Sequence, residues 1–253
     1  MSSSHPFDPN YDELPGELPI FPLSGVLLLP GGRLPLNIFE PRYLNLIRDA
    51  LRDQRMIGMV QPAVDDADQT ARFGSFEVED DEEAAYTTTE PQGTRFDAGA
   101  APVYRTGCAG RIVSFSETDD GRYLVTLKGL LRFRIHEELA LRDGYRRVIP
   151  DYAPFAGDLT PEQAAYFDRD RLLEALTYYF TQQGIEADWD AIREASNERL
   201  VTSLAMVCPF SSAEKQALLE ARDASQRAET MTTILEMAVL DRPAPEGRAA
   251  SRH

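Results

Sequence analysis

The sequence predicts an α+β protein, a small closed β-barrel followed by a C-terminal helical bundle. Two observations lead there. Between Leu18 and Ile149 short apolar or alternating segments recur, cut apart by Pro, Gly and Asp-Gly, the rhythm of short strands with glycine corners. After Asp158 the apolar period lengthens to helical spacing. The 253 residues are enough to bury a substantial core. The expected organisation is a disordered tail over 1–17, the barrel over 18–153, helices over 160–240 and a loose tail over 241–253.

The chain is organised around Leu18 to Leu51. Pro19 and Pro22 donate nothing to a ladder, so the first segment is an edge strand or a strand start. Val26 to Leu29 is short and wholly apolar, a buried strand or a core plug. Pro30-Gly31-Gly32 forces a turn, and Leu34, Leu36 and Ile38 alternate as a half-buried strand does. Pro41 suits the first turn of a helix, where its missing N–H is no loss. Tyr43, Leu46, Ile47, Ala50 and Leu51 then form its apolar stripe. Ile57 to Gln61 is a further strand, ended by Pro62.

From Ala63 to Ala101 the period dissolves. Nine acids stand between Asp65 and Glu83 against Arg72 alone. Such a segment orders with difficulty; it is a solvated insertion or a guard over a binding face. Val103 to Ser116 reads as a strand bent at Gly107 and Gly110. Asp119-Asp120-Gly121 marks a hairpin, Tyr123, Val125 and Leu127 return from it, and Gly129 marks a bulge or a close approach. Leu131, Phe133 and Ile135 alternate with Arg132, Arg134 and His136, which predicts a basic outer face. Tyr145 to Ile149 is the last strand.

Thr160-Pro161-Glu162-Gln163 reads as a capping box, followed by Leu172, Leu173, Leu176, Tyr179 and Phe180 and closed at Gly184. A second helix starts near Asp188 and carries Trp189, Ile192, Leu200, Leu204 and Val207. Ser211 and Glu214 cap a short third. Asp223 and Gln226 open a last helix, with Ala228, Met231, Leu235 and Ala238 inward.

The formal charge of −16 argues against nucleic acid, whose binding rests on phosphate neutralisation, and against anionic membrane surfaces. No apolar run reaches the ~20 residues of a membrane helix. The N-terminus lacks a signal peptide's basic and apolar regions, so the expected location is cytoplasmic. Cys108 and Cys208 are far apart and outside any zinc spacing, and read as buried hydrophobes. No metal or cofactor is expected. Lys128 and Lys215 are the chain's two lysines, and neither follows a phosphate-binding loop of the GxxxxGK[ST] form. GxSxG, HExxH and GxGxxG are absent too, so the expectation is a protein that is not an enzyme.

LPIFPLSGVLLLPGGRLPLNIFEPRY, from Leu18 to Tyr43, resembles the opening of the N-terminal, substrate-binding domain of the Lon proteases. GCAGRIVSFSETDDGRYLVTLKGLLRFRI, from Gly107 to Ile135, resembles that domain's central hairpin. The longer helical tail resembles stand-alone proteins made of this domain without ATPase or peptidase, and the likeness spans Leu18 to Leu240. It implies a PUA-like barrel used to hold unfolded or exposed polypeptide segments, as an adaptor or recognition module in protein quality control, beside a protease or chaperone. PUA-like barrels are also used for RNA or nucleotides, which leaves that reading open on the run Arg132, Arg134, Arg142, Arg146 and Arg147.

The candidate binding residues are Leu29, Pro30, Gly31, Glu40, Arg42, Arg132 and Arg134. Leu29, Pro30 and Gly31 either fill the core or leave an apolar rim that takes unfolded segments. Glu40, Arg42, Arg132 and Arg134 either form internal ion pairs, for example Glu40 with Arg132, or hold carbonyls and acidic side chains of a bound chain.

Overall fold

The computed structural model describes residues 8–63, 101–160 and 164–240. The acidic segment and the C-terminal tail predicted from sequence therefore lie outside the described residues, apart from the loop's ends at Ala63 and Ala101. Six strands make one mixed sheet: β1 (Leu18–Pro22), β2 (Arg33–Ile38), β3 (Met56–Val60), β4 (Thr106–Glu117), β5 (Tyr123–Arg142) and β6 (Tyr145–Asp151). Their order is β2-β5-β4-β3-β1-β6. Only β1 and β3 run parallel among the described pairings. The 20-residue β5 is long enough to pair with different neighbours along its two halves. Its first half lies between β4 and β2, and its second half pairs with β6, which also pairs with β1. Pairings followed from β5 through β4, β3, β1 and β6 thus return to β5.

A bulge bends β5 where it meets β4. Gly110 faces Gly129 and Ala109 faces Leu131, so Leu130 is the extra residue. Gly129 is also a close approach: a Cβ there would stand 2.0 Å from the carbonyl oxygen of Leu29. The segment Leu27–Leu29 is a core plug rather than a strand, buried and laid across β5 at this glycine. The turn after it is fixed by Gly31 N–H donating to Gly129 O (3.0 Å), Gly129 N–H donating to Gly32 O (2.9 Å), and a φ of +79° at Gly31.

Helix α1 (Pro41–Arg52) buries Tyr43, Leu46, Ile47 and Ala50, four of the five residues of the predicted stripe, while Leu51 is half-buried. The later helices are α2 (Arg169–Gln183), α3 (Trp189–Glu194), α4 (Asn197–Val207), α5 (Ser212–Glu220) and α6 (Ala224–Leu240). Gly184 caps α2 in the left-handed region, and the Ser211–Glu214 capping box is present as predicted. Two boundaries differ. The helix predicted from Thr160 begins at Arg169, under the Asp168 side chain, which accepts from Arg171 N–H; residues 161–163 of the expected box are outside the described residues. The helix predicted from Asp188 is two helices, because the Ser196 side chain caps a new start.

Within the stretch expected to be a disordered tail, residues 8–17 are described and make ion pairs. The Asp8 carboxylate bridges Arg111 (2.9 Å) and Lys128 (2.6 Å), and Glu17 pairs with Arg147 (2.7 Å). Two partners at once hold the Asp8 carboxyl below its usual range, against the effect of burial. Composition marks a polar segment but does not show that its acids have fixed cationic partners.

One apolar core runs from β2 and α1 into α2, α4, α5 and α6, so strands and helices share it. A second, around Leu18, Ile20, Phe133, Val148 and Tyr152, fills the space between β1, β5 and β6.

Candidate functional site

The seven residues marked from sequence do not meet on one surface. Leu29 is fully buried, Pro30 is half-buried and Gly31 is exposed. Gly32 beside them packs on α4, where an added Cβ would meet the Met206 sulfur at 2.3 Å. The Leu-Leu-Leu segment is therefore interior, and only the tip of its turn reaches solvent.

Arg132 is not on an outer face. Its side chain is 6% exposed and forks onto Asp158, with Nε donating to one carboxylate oxygen and Nη2 to the other, both at 2.8 Å. It also donates to the carbonyls of Leu219 (3.1 Å), Ala221 and Arg222 (3.2 Å), which end α5, and lies 4.8 Å over the Phe155 ring. The outward side of β5 is covered here by the 3-10 segment Ala153–Leu159 and the α5–α6 turn. Arg132 thus joins three parts of the fold, and its carboxylate partner is Asp158 instead of Glu40. Arg134, two residues on, is exposed as the alternation predicted.

Most of the arginine run is neutralised among the described residues. Arg132, Arg142, Arg146 and Arg147 pair with Asp158, Asp49, Glu138 and Glu17. Four of the five guanidiniums of the run are thus matched by carboxylates, and the fifth, Arg134, is exposed.

Glu40 and Arg42 do meet. Arg42 Nη2 and Nε donate to Glu40 Oε2 at 2.7 and 2.9 Å, and its guanidinium lies 4.6 Å from the Tyr43 ring centroid. The pair stands at the start of α1, half-exposed, beside a small, shallow depression. Phe21 and Leu23 line it from β1 and the loop after it. Leu36, Asn37, Ile38 and Phe39 line it from β2 and its end, and Glu40 and Tyr43 from the helix start. Phe21 and Tyr43 touch at 4.1 Å between ring centroids. Burial pushes the Tyr43 phenol up to about 12, so it stays neutral.

The lining offers apolar surface, with the Asn37 amide and the Glu40 carboxylate as its polar side chains. Asn37 Oδ1 is shielded from water and has no partner. Glu40 is an acceptor whose bonds from Arg42 both go to Oε2. Sequence reasoning reached Glu40 and Arg42 but missed Phe21, Asn37 and Phe39. The available signal was the asparagine set in the apolar alternation of RLPLNI.

No nucleophile–base pair stands in this depression. Two cysteines and one lysine lie buried elsewhere among the described residues. Burial raises both thiols, Cys208 to about 12, and lowers Lys215 to about 8. Lys215 Nζ donates to Gly25 O at 2.6 Å, tying α5 to the loop before the core plug. Among the described residues no cluster of His, Cys, Asp or Glu is arranged to hold a metal ion, and no helix is long and apolar enough to cross a membrane.

Fold and site together define a small α+β domain with an apolar recess at the meeting of two strands and a helix. Residues 17–237 match the family model of the ATP-dependent protease La (LON) substrate-binding domain, and the chain belongs to that family. Among curated proteins it is similar to the Lon protease of Anaeromyxobacter dehalogenans, 29% identical over 128 residues, covering 51% of this chain and 12% of that protein. It is also similar to the Lon protease of Parabacteroides distasonis, 27% identical over 241 residues, covering 90% of this chain and 25% of that protein. The chain therefore spans a quarter or less of these relatives. Among solved structures, the Lon N-terminal domain protein from Xanthomonas campestris superposes with a TM-score of 0.53 at 21% identity, covering 86% of this chain and 97% of that one. The N-terminal domain of the Mycobacterium avium complex Lon protease gives 0.50 at 13%, covering 87% and 98%. These two likenesses are of fold.

Proposed function

We propose that the chain is a non-catalytic polypeptide-recognition module, serving as an adaptor or recognition subunit in cytoplasmic protein quality control and working with a protease or chaperone. In this reading the returning strand pairings are a PUA-like barrel, and the helices from α2 to α6 are a bundle docked on it. The observation that carries it is the match over 17–237 to a domain family described as substrate-binding. The apolar recess supports it, since peptide capture rests on apolar anchors with a polar rim. Carboxylate partners on four of the five arginines of the run weigh against a nucleic-acid reading.

Fluorescence anisotropy with a labelled, permanently unfolded protein tests the proposal. Saturable binding is expected, with the folded form of the same protein and a single-stranded RNA both failing to compete. Competition by RNA that falls steeply with salt would instead restore the nucleotide reading.

A further inference from the structure

We propose that Arg33, Lys128 and Arg111 form an anion-binding row across β2, β5 and β4, which docks two neighbouring carboxylates of an acidic polypeptide segment and which Asp8 of this chain occupies in their place. This rests on the polypeptide-recognition reading and gives it a second contact, away from the apolar recess and opposite to it in chemistry.

The row follows from register. Arg33 faces Lys128 across β2 and β5, and Lys128 faces Arg111 across β5 and β4. Residues directly opposite one another put their side chains on the same face of a sheet. Their neighbours Leu34, Leu127 and Ile112 are buried, so this is the outward face. Like charges set directly opposite one another repel. Three such cations abreast, in a chain of net charge −16, stand against that repulsion only with an anion beside them.

Asp8 supplies one carboxylate. Its Oδ1 accepts from Arg111 Nε (3.1 Å) and lies 2.9 Å from Nη2, and its Oδ2 accepts from Lys128 Nζ (2.6 Å). The Asp8 side chain is 14% exposed, so these bonds are shielded in a way that ordinary surface pairs are not. Asp8 lies at one end of a segment fastened further along. There Asn10 N–H donates to Glu13 (2.8 Å), Leu14 packs on the second core, and Pro15 O accepts from the Tyr152 hydroxyl (3.2 Å).

One carboxylate serves two of the three cations. Arg33 is exposed and has no ion-pair partner among the described residues. A segment with two adjacent carboxylates reaches all three and so can outbid Asp8 by one charge pair. Thr126 and Ser114 face each other beside the row on the same face and add hydroxyl donors. The present occupant is an aspartate carried on a polypeptide, which favours a polypeptide over a free anion.

The test uses the full chain, as wild type and as Asp8→Asn, with two fluorescein-labelled Gly/Ser nonapeptides carrying Asp-Asp or Asn-Asn at the centre. By anisotropy, Asp8→Asn should bind the Asp-Asp peptide roughly tenfold tighter than wild type does. The Asn-Asn peptide should bind neither, and added salt should weaken the Asp-Asp complex. Adding Arg33→Gln to Asp8→Asn should cost about threefold, with no risk to the fold because Arg33 is exposed. Lys128 and the buried Lys215 are the chain's two lysines, so acetylation of Lys128 reads the row directly. Asp8→Asn should speed that acetylation, and the Asp-Asp peptide should slow it again. If Asp8→Asn binds the two peptides equally, or neither, while unfolded protein still binds wild type, the row is a structural ion cluster and general polypeptide recognition stands. Inorganic pyrophosphate displacing the labelled peptide at lower concentration than unlabelled Asp-Asp peptide would overturn the polypeptide occupant in favour of a small anion. If unfolded protein does not bind either, both readings fall.

Discussion

Replacing Arg132 with alanine separates an architectural arginine from a ligand-binding one. The substitution strands Asp158, whose side chain is 12% exposed, and leaves the carbonyls of Leu219, Ala221 and Arg222 without the donor that now serves all three. Breaking a buried pair by removing one partner destabilises by about 3–5 kcal/mol, because a charge is left unpaired in a poorly hydrated place. With a urea m-value of about 2 kcal/mol/M, the unfolding midpoint should fall by roughly 2 M. The exposed Arg134→Ala control should stay within about 0.5 kcal/mol of wild type. Arg132→Met combined with Asp158→Leu removes both charges and should recover much of the loss. Equilibrium urea unfolding by tryptophan fluorescence and circular dichroism reads all four proteins. An Arg132→Ala midpoint within about 0.3 M of wild type, with polypeptide binding abolished, would refute the assignment and return Arg132 to a binding surface.

Gly129→Ala places a methyl where Leu29 O stands at 2.0 Å, so the core plug must move; a loss of about 1–3 kcal/mol is expected from thermal unfolding, and an unchanged Tm would show that the plug is not pinned there. Burial lowers the folded-state Lys215 ammonium to about 8 from 10.5, so between those values the unfolded chain holds more protons and the stability of wild type rises with pH relative to Lys215→Met. That gain should approach about 3 kcal/mol by pH 10.5, and a flat difference between the two proteins across pH 8 to 10.5 contradicts it. Cys108 and Cys208 are buried and free, with thiols raised by desolvation. A thiol reagent should therefore titrate neither in the native protein and both in urea, and fast reaction of either in buffer would place it at the surface.

Local chemistry was the most legible part of the sequence. The Asp119-Asp120-Gly121 turn, the Gly129 bulge, the Gly184 cap and the Ser211–Glu214 box each follow from a residue's own conformational needs. What covers a face is not local. The alternation around Phe133 correctly put Arg132 opposite the Phe133 side, but period alone does not say whether that side meets water or another element. Here residues from Ala153 to Leu159 and from Leu219 to Arg222 close over it. The Glu40–Arg132 pairing failed for the same reason: Asp158 and the end of α5 arrive from distant sequence, while Glu40 has Arg42 two residues away. Leu27 to Leu29 remained either strand or plug until Gly129 was seen to admit the Leu29 backbone. All the lining of the recess lies between Phe21 and Tyr43, inside the stretch on which the chain is organised. Its signal was weak because Phe21, Leu36, Ile38 and Tyr43 are also core residues, and only half-burial of Leu23 and Phe39 opens the surface.

The central claim is that this chain holds other polypeptides without cutting them. Incubating the purified protein with a labelled unfolded polypeptide, with and without ATP, and reading anisotropy and intact mass on the same sample tests it most directly. A saturable rise in anisotropy with the polypeptide's mass unchanged is the predicted result. Fragments of the polypeptide, or no rise at any concentration, would contradict it.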